Sequence, residues 1–187
     1  MSNLLKKGLV WVLVTLILLP TAALLTGAPH SKGGQHLPWT TDYSQALERS
    51  KAEGKPVVLF FTGSDWCSYC TRLENEVLET ASFIDSVKDK YIFVELDFPE
   101  HNPIAADLKA QNKKLQEKYG VRSYPTIIIV DGNGQKLVQT GYKEGGGKFY
   151  ASHLEGLMAP HLAKFAKPEM KAPEQEKVAL EASIQPL

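Results

Sequence analysis

The chain has 187 residues, 43% of them hydrophobic and 22% charged, enough for one globular domain with appendages and too few for two full domains. Its 21 Lys and Arg balance 21 Asp and Glu, and that neutrality excludes the basic excess of a nucleic-acid binder. Cys67 and Cys70 are its only cysteines, which rules out a disulfide-stapled scaffold and a four-cysteine zinc site.

Residues 1–28 have the layout of a targeting segment. Lys6 and Lys7 precede an apolar run from Leu9 to Leu19, Pro20 ends it, and small residues follow at Ala22, Ala23, Thr26, Gly27 and Ala28. This is the three-part order of a secretory signal, with a cut after Ala23 or Ala28. Leu9 to Leu25 is also 17 residues, the short edge of a bilayer span, so an uncleaved N-terminal membrane anchor is the rival reading. In both, the Lys pair stays inside and the rest of the chain is exported. Removal of residues 1–28 would leave 19 Lys and Arg against 21 Asp and Glu, a net charge of −2.

Residues 29–36, rich in Gly and polar side chains, read as a linker to a folded domain over 37–165. Asp42 can cap a helix to about Glu53, with Tyr43, Ala46 and Leu47 at helical spacing, and Gly54 ends it. Pro56 to Thr62 is a continuous apolar run, as a central buried strand requires. A helix starts near Cys67 and carries Leu73, Val77 and Leu78 inward, and a second piece covers about Ala81 to Lys88. Tyr91 to Asp97 is a further strand. Pro103 is expected to open a long helix to Tyr119, with Ile104, Leu108 and Leu115 on one side and Gly120 as its stop. Thr126 to Val130 is a third apolar strand, Asp131-Gly132-Asn133-Gly134 a hairpin turn, and Gln135 to Thr140 its antiparallel return. The last helix is expected from about Gly147 to Phe165. Residues 166–187 turn to Lys, Glu, Pro and Ala and are expected to be a disordered or partly helical tail. The order α, β, α, β, α, β, β, α predicts an α/β domain with a central sheet covered on both faces.

The chemistry sits at Gly63-Ser64-Asp65-Trp66-Cys67-Ser68-Tyr69-Cys70, between a buried strand and a helix start. That context makes the Cys-x-x-Cys a redox motif rather than an inert pair or half a metal site. Backbone N–H groups and the positive end of the helix dipole favour a thiolate there. Cys67 is expected to be the exposed nucleophile and Cys70, one turn along and turned inward, the resolving thiol. Trp66, Tyr69 and Tyr124 are expected to frame the sulfurs as a shallow apolar patch for unfolded or extended protein substrates. The five histidines, His30, His36, His101, His153 and His161, show no ligand spacing and are expected at the surface, so neither a metal nor another cofactor is expected.

Pro56 to Cys70, with Ser123-Tyr124-Pro125-Thr126, resembles the thioredoxin fold over about residues 40–160. The Gly-Ser-Asp-Trp-Cys-x-x-Cys run and the helix before Tyr119-Gly120-Val121-Arg122-Ser123-Tyr124-Pro125-Thr126 are most similar to exported bacterial thioredoxin-like disulfide oxidoreductases of the DsbH type, which are periplasmic reductases. The resemblance implies that Pro125 is a cis-proline facing the Cys pair. It implies that the loop presents the backbone of Tyr124 to an extended substrate and blocks metal capture, and that Gly141 leaves the substrate room. It further implies a periplasmic, monomeric thiol–disulfide oxidoreductase that reduces disulfides in exported proteins and takes electrons from a membrane thiol-transfer protein. The rival readings are a disulfide isomerase, for which no dimerisation domain is visible, and a non-catalytic binding or chaperone module.

Two departures matter. Cytosolic members carry a buried Asp six residues before the first Cys, paired with a Lys on the adjacent strand; those positions here read Phe61 and Phe93, and the facing of nearby Glu95 is open. Cys70 is then expected to lose its proton through water or another group. The second departure is Ser68-Tyr69. Strong oxidants of this fold tend to carry a His there, and its absence predicts a reducing to intermediate potential.

Overall fold

The computed structural model of the chain describes residues 36–165. The expectations for the signal or anchor, for the linker before His36 and for the tail lie outside the described residues. Within them the order is β1 (Trp39–Thr40), α1 (Tyr43–Glu53), β2 (Val57–Thr62), α2 (Ser68–Leu73), α3 (Ala81–Val87), β3 (Ile92–Asp97), α4 (Ala106–Tyr119), β4 (Thr126–Val130), β5 (Lys136–Gly141) and α5 (Gly146–Met158).

The strands form a five-stranded mixed sheet in the order β1-β3-β2-β4-β5. β2 is central, parallel to β3 and antiparallel to β4, and all six of its residues are buried. Alternation splits its side chains between two cores. Val58 and Phe60 join Leu73, Val77, Phe83, Ile84, Tyr150 and Leu154 on the face covered by α2, α3 and α5. Val57, Leu59 and Phe61 join Ala46, Leu115 and Tyr119 on the face covered by α1 and α4. A sheet filled on both faces explains why its inner strands read as unbroken apolar runs.

Local chemistry sets the element ends. The Asp42 side chain accepts the Gln45 N–H at 2.9 Å and caps α1. Gly54 and Gly120 stop α1 and α4 at φ of 66° and 67°, where a side chain would be strained. In the hairpin turn the Asp131 carboxylate accepts the N–H groups of Asn133 and Gln135, both at 3.0 Å.

Four elements differ from expectation. β1 is a two-residue strand parallel to β3, too short for any alternation to be read. Pro103 does not open α4, which starts at Ala106 and leaves Ile104 before the helix. The backbone N–H groups of residues 100–102 are taken instead by the Asp65 carboxylate. The last helix ends at Met158, not Phe165; Pro160 follows in a 3₁₀ turn over Ala159–Lys164, where its missing N–H is tolerated. The helix after Cys67 changes from α to a π turn over Glu74–Leu78, which buries Val77 and Leu78 together. Among the described residues no helix is long and apolar enough to cross a membrane.

Candidate active site

β2 delivers the chain to a four-residue turn, Gly63 to Trp66, and Cys67 is the N-cap of α2. The Cys67 N–H donates to the Gly63 carbonyl at 2.9 Å, and Cys67 Sγ accepts the Cys70 N–H at 3.2 Å. Cys67 and Cys70 are joined as a disulfide with their Cα atoms 5.2 Å apart. The two sulfurs are not equivalent: Cys67 is 7% exposed and Cys70 is fully buried. Cys67 is thus far less open than the exposed nucleophile expected of it, though it is the one that solvent reaches.

Strand register brings three segments to this end of the sheet. Thr126 lies opposite Phe61 on one side and Gly141 on the other. The Tyr124–Pro125 bond just before β4 is cis, and Pro125 is buried. A Cβ at Gly141 would come within 3.1 Å of the Pro125 carbonyl oxygen, so β5 approaches that loop closely.

The expected aromatic patch is two groups, attached to opposite faces of the sheet. Trp66, 42% exposed, donates Nε1–H to the Phe98 carbonyl at 2.8 Å and meets the Tyr124 ring edge-on at 5.5 Å. Its indole lies over Gly63, where a Cβ would overlap it. Tyr124 is half-buried rather than exposed: its hydroxyl accepts from Gln116 Nε2 at 2.6 Å, and its ring packs on Phe98 at 5.3 Å. Burial pushes the Tyr124 phenol up from its ordinary value. Tyr69, 55% exposed, packs with Tyr142 at 5.9 Å. The Arg72 guanidinium sits 5.8 Å and 4.9 Å from those two ring centres, and Arg72 Nε bonds Glu76 at 3.0 Å. The Tyr142 hydroxyl also donates to Glu76.

Arg72, Tyr142 and Phe98 were not among the expected site residues. Tyr69, Arg72 and Glu76 have the spacing of one helix face, which the sequence carries. Phe98 and Tyr142 each follow a strand, and only the strand order brings them here.

The turn is held from the side. Ser64 N–H and Oγ–H donate to the Asp97 carboxylate at 2.9 and 2.6 Å. Asp65 accepts the N–H groups of Glu100, His101 and Asn102 at 2.9, 2.7 and 2.8 Å. The Glu100 N–H and its two neighbours hold the Asp65 carboxyl down at about 2, so it is ionised at any working pH.

The structure corrects the pairing inferred for Phe61 and Phe93. They belong to different cores, on opposite faces of the sheet. Phe93 pairs in register with Val58, while Phe60 pairs with Glu95. Glu95 therefore faces α2 and the π turn, and lines a cavity of about 220 Å³ with Phe60, Ser64, Glu74 and Leu78. Burial pushes the Glu95 carboxyl up, helped by Asp97, and burial with Glu95 does the same to Glu74. Thr62 Oγ1 is buried without a well-formed hydrogen bond beside Glu74. This cavity thus carries two half-buried acids, one from β3 and one from the π turn, on the sheet face opposite to Phe61.

Among the described residues no group of three or more His, Cys, Asp or Glu is arranged to hold a metal ion. His153 is not a plain surface residue: it is half-buried, with Nε2 3.0 Å from Thr140 Oγ1.

Residues 43–152 match the thioredoxin-like domain family. The chain is 34% identical over 123 residues to the disulfide bond reductase DsbH of Chlamydia pneumoniae, covering 66% of this chain and 74% of that protein. It is 31% identical over 130 residues to the thioredoxin-related protein DsbJ of the same organism, covering 70% of this chain and only 37% of that one. A solved DsbH oxidoreductase superposes with a TM-score of 0.65 at 33% identity, over 67% of this chain and 87% of its own.

Proposed function

The chain belongs to the thioredoxin-like family and is a thiol–disulfide oxidoreductase, and we propose that it is exported to the periplasm and reduces disulfides in exported proteins there. The unequal burial of one bonded pair carries this reading: a partner sulfur can reach Cys67 but not Cys70. In the reduced enzyme the Cys67 thiolate attacks one sulfur of a substrate disulfide. A mixed disulfide forms and the other substrate sulfur leaves as a thiol. Cys70 then gives up its proton and attacks Cys67 Sγ, releasing the second substrate thiol and closing the Cys67–Cys70 bond. Two electrons and two protons pass to the substrate, and a membrane thiol-transfer dithiol restores them.

Trp66, Tyr69, Tyr124, Pro125 and Gly141 are the substrate-facing groups in this reading. The acid nearest Cys70 along its helix is Glu74, one turn on, so Glu74 and Glu95 are the groups that stand in for the missing acid. The reducing direction is supported by the absence of His between the cysteines and by the acids around them.

Cys70→Ser tests the reading, because it stops the cycle at the mixed disulfide. Expressed in the exported compartment, this variant should accumulate covalent complexes with exported proteins that dithiothreitol dissolves. Cys67→Ser should form none and lose turnover to background. Full activity in a chain with both cysteines changed to Ser would replace this reading with the binding-module one.

A further inference from the structure

Between Ser64 and Trp66 the turn before Cys67 makes seven hydrogen bonds to residues 97–102, and four of them end on one carboxylate, that of Asp65. Oδ1 takes the Glu100 N–H; Oδ2 takes the N–H groups of His101 and Asn102 and, at 3.3 Å, the Asn102 amide. The Asp65 side chain is 11% exposed, so these bonds replace its water. Three consecutive backbone donors aimed at one acceptor fix a loop much as an N-cap fixes a helix end. Packing supports this loop only in part, since it borders a cavity of about 140 Å³ lined by Phe98, Pro99, Pro103, Ile104 and Asn112.

The loop matters because of Phe98. Its carbonyl receives the Trp66 indole N–H, and its ring carries Tyr124 at 5.3 Å and stacks on Phe61 at 6.3 Å. We propose that Asp65 is a positioning residue: by clamping residues 100–102 it sets Phe98, and through Phe98 it presets the Trp66–Tyr124 wall that a protein substrate meets beside Cys67. This rests on the oxidoreductase reading and deepens it, since it separates the binding of an extended polypeptide from the chemistry of the sulfurs. A small disulfide needs no aromatic wall to reach Cys67, so its reduction is insensitive to Asp65.

The test uses the full chain, reduced with dithiothreitol, against insulin and against 5,5′-dithiobis(2-nitrobenzoate). Asp65→Ala should raise KM for insulin by about tenfold, with kcat and turnover of the small disulfide within about twofold of wild type. Asp65→Asn keeps the shape but can accept at only one of the two oxygen positions, so its KM should rise by an intermediate factor, about threefold. It carries the test if the alanine variant does not fold. On a Phe98→Ala background, Asp65→Ala should add no more than about twofold, because the route through Phe98 is already cut. An unchanged KM for insulin in both variants, an equal loss on both substrates, or fully additive effects with Phe98→Ala would overturn the proposal. A wild-type chain that reduces neither substrate would overturn the oxidoreductase reading itself.

Discussion

Glu95 shows how a single residue can set a pH dependence. It stands on a strand that is otherwise Ile, Phe, Val and Leu up to its last residue, Asp97, and it faces the same core as Phe93. Its folded carboxyl titrates above the ordinary 4.5, chiefly because burial penalises the charge. The native state therefore holds more protons than the unfolded chain between 4.5 and that raised value. Stability must rise as pH falls through this window and level off below it, the opposite of a salt-bridged carboxylate. Glu95→Gln removes the buried charge. It should stabilise the fold by up to about 1 kcal/mol at neutral pH, with the difference vanishing below pH 4.5, as urea unfolding at the two pH values would show. A gain that persisted in acid would mean that packing, not charge, is responsible. The facing of Glu95 could not be read from the sequence alone, because alternation gives two faces without saying which one α2 covers. The positions of Cys67 and Cys70 were legible, though not the burial of Cys67, because they follow from the strand and helix that flank them, whereas Trp66 also leans on Phe98 and Tyr124. Tyr124 was legible in position but not in exposure, since Gln116 and Phe98 come from elsewhere in the chain.

Among the elements, α5 is held by what it lacks. A Cβ at Gly147 would overlap Thr80 Oγ1 and press within 2.9 Å of Phe83 Cβ, so the first turn of α5 lies directly on the start of α3. Gly147→Ala should cost about 1–3 kcal/mol, the price of overpacking, read as a lower denaturant midpoint at constant slope. Gly156 is the control on the same helix: nothing lies within 4 Å of its Cβ position, so Gly156→Ala should gain about 0.5–1 kcal/mol from helix propensity alone. Equal effects at the two positions would show that contact with α3 is not what selects glycine. The sequence located the long elements, though not every end, because the helices have an apolar period with stops such as Gly54 or Gly120 and the inner strands are unbroken apolar runs. It failed where a distant group competes for the backbone. Pro103 looked like a helix start, but Asp65 takes the N–H groups just before it. β1 has no signal of its own and exists only because β3 offers a free edge.

At the scale of the whole molecule, the charge around the Cys pair bears on the direction of electron flow. Asp97 holds the turn, and Glu74 and Glu95 line the cavity beside Ser64, while the Asp65 charge is taken up by the N–H groups of residues 100–102. Arg72, the basic residue of α2, is already engaged by Glu76 and, at 3.8 Å, Glu144. A thiolate at Cys67 would sit in this negative field with the Cys70 N–H as its local donor. A field that opposes the thiolate destabilises the reduced form relative to the disulfide, which makes the couple more reducing. Equilibration with glutathione should place the pair in the range of about −230 to −270 mV, near thioredoxins and well below the roughly −120 mV of a strong periplasmic oxidant. Tyr69→His puts a group that can bear a cation between the cysteines and breaks the contact with Tyr142. It should raise the potential by about 30 mV or more, equivalent to about 1.4 kcal/mol in favour of the reduced form. The rise should be larger below the ordinary imidazole pKa of about 6.5 than at alkaline pH, where the ring is neutral. A wild-type potential near that of the strong oxidants would refute the reducing assignment, and a His variant whose rise over wild type were the same at every pH would show that charge between the cysteines is not what sets it.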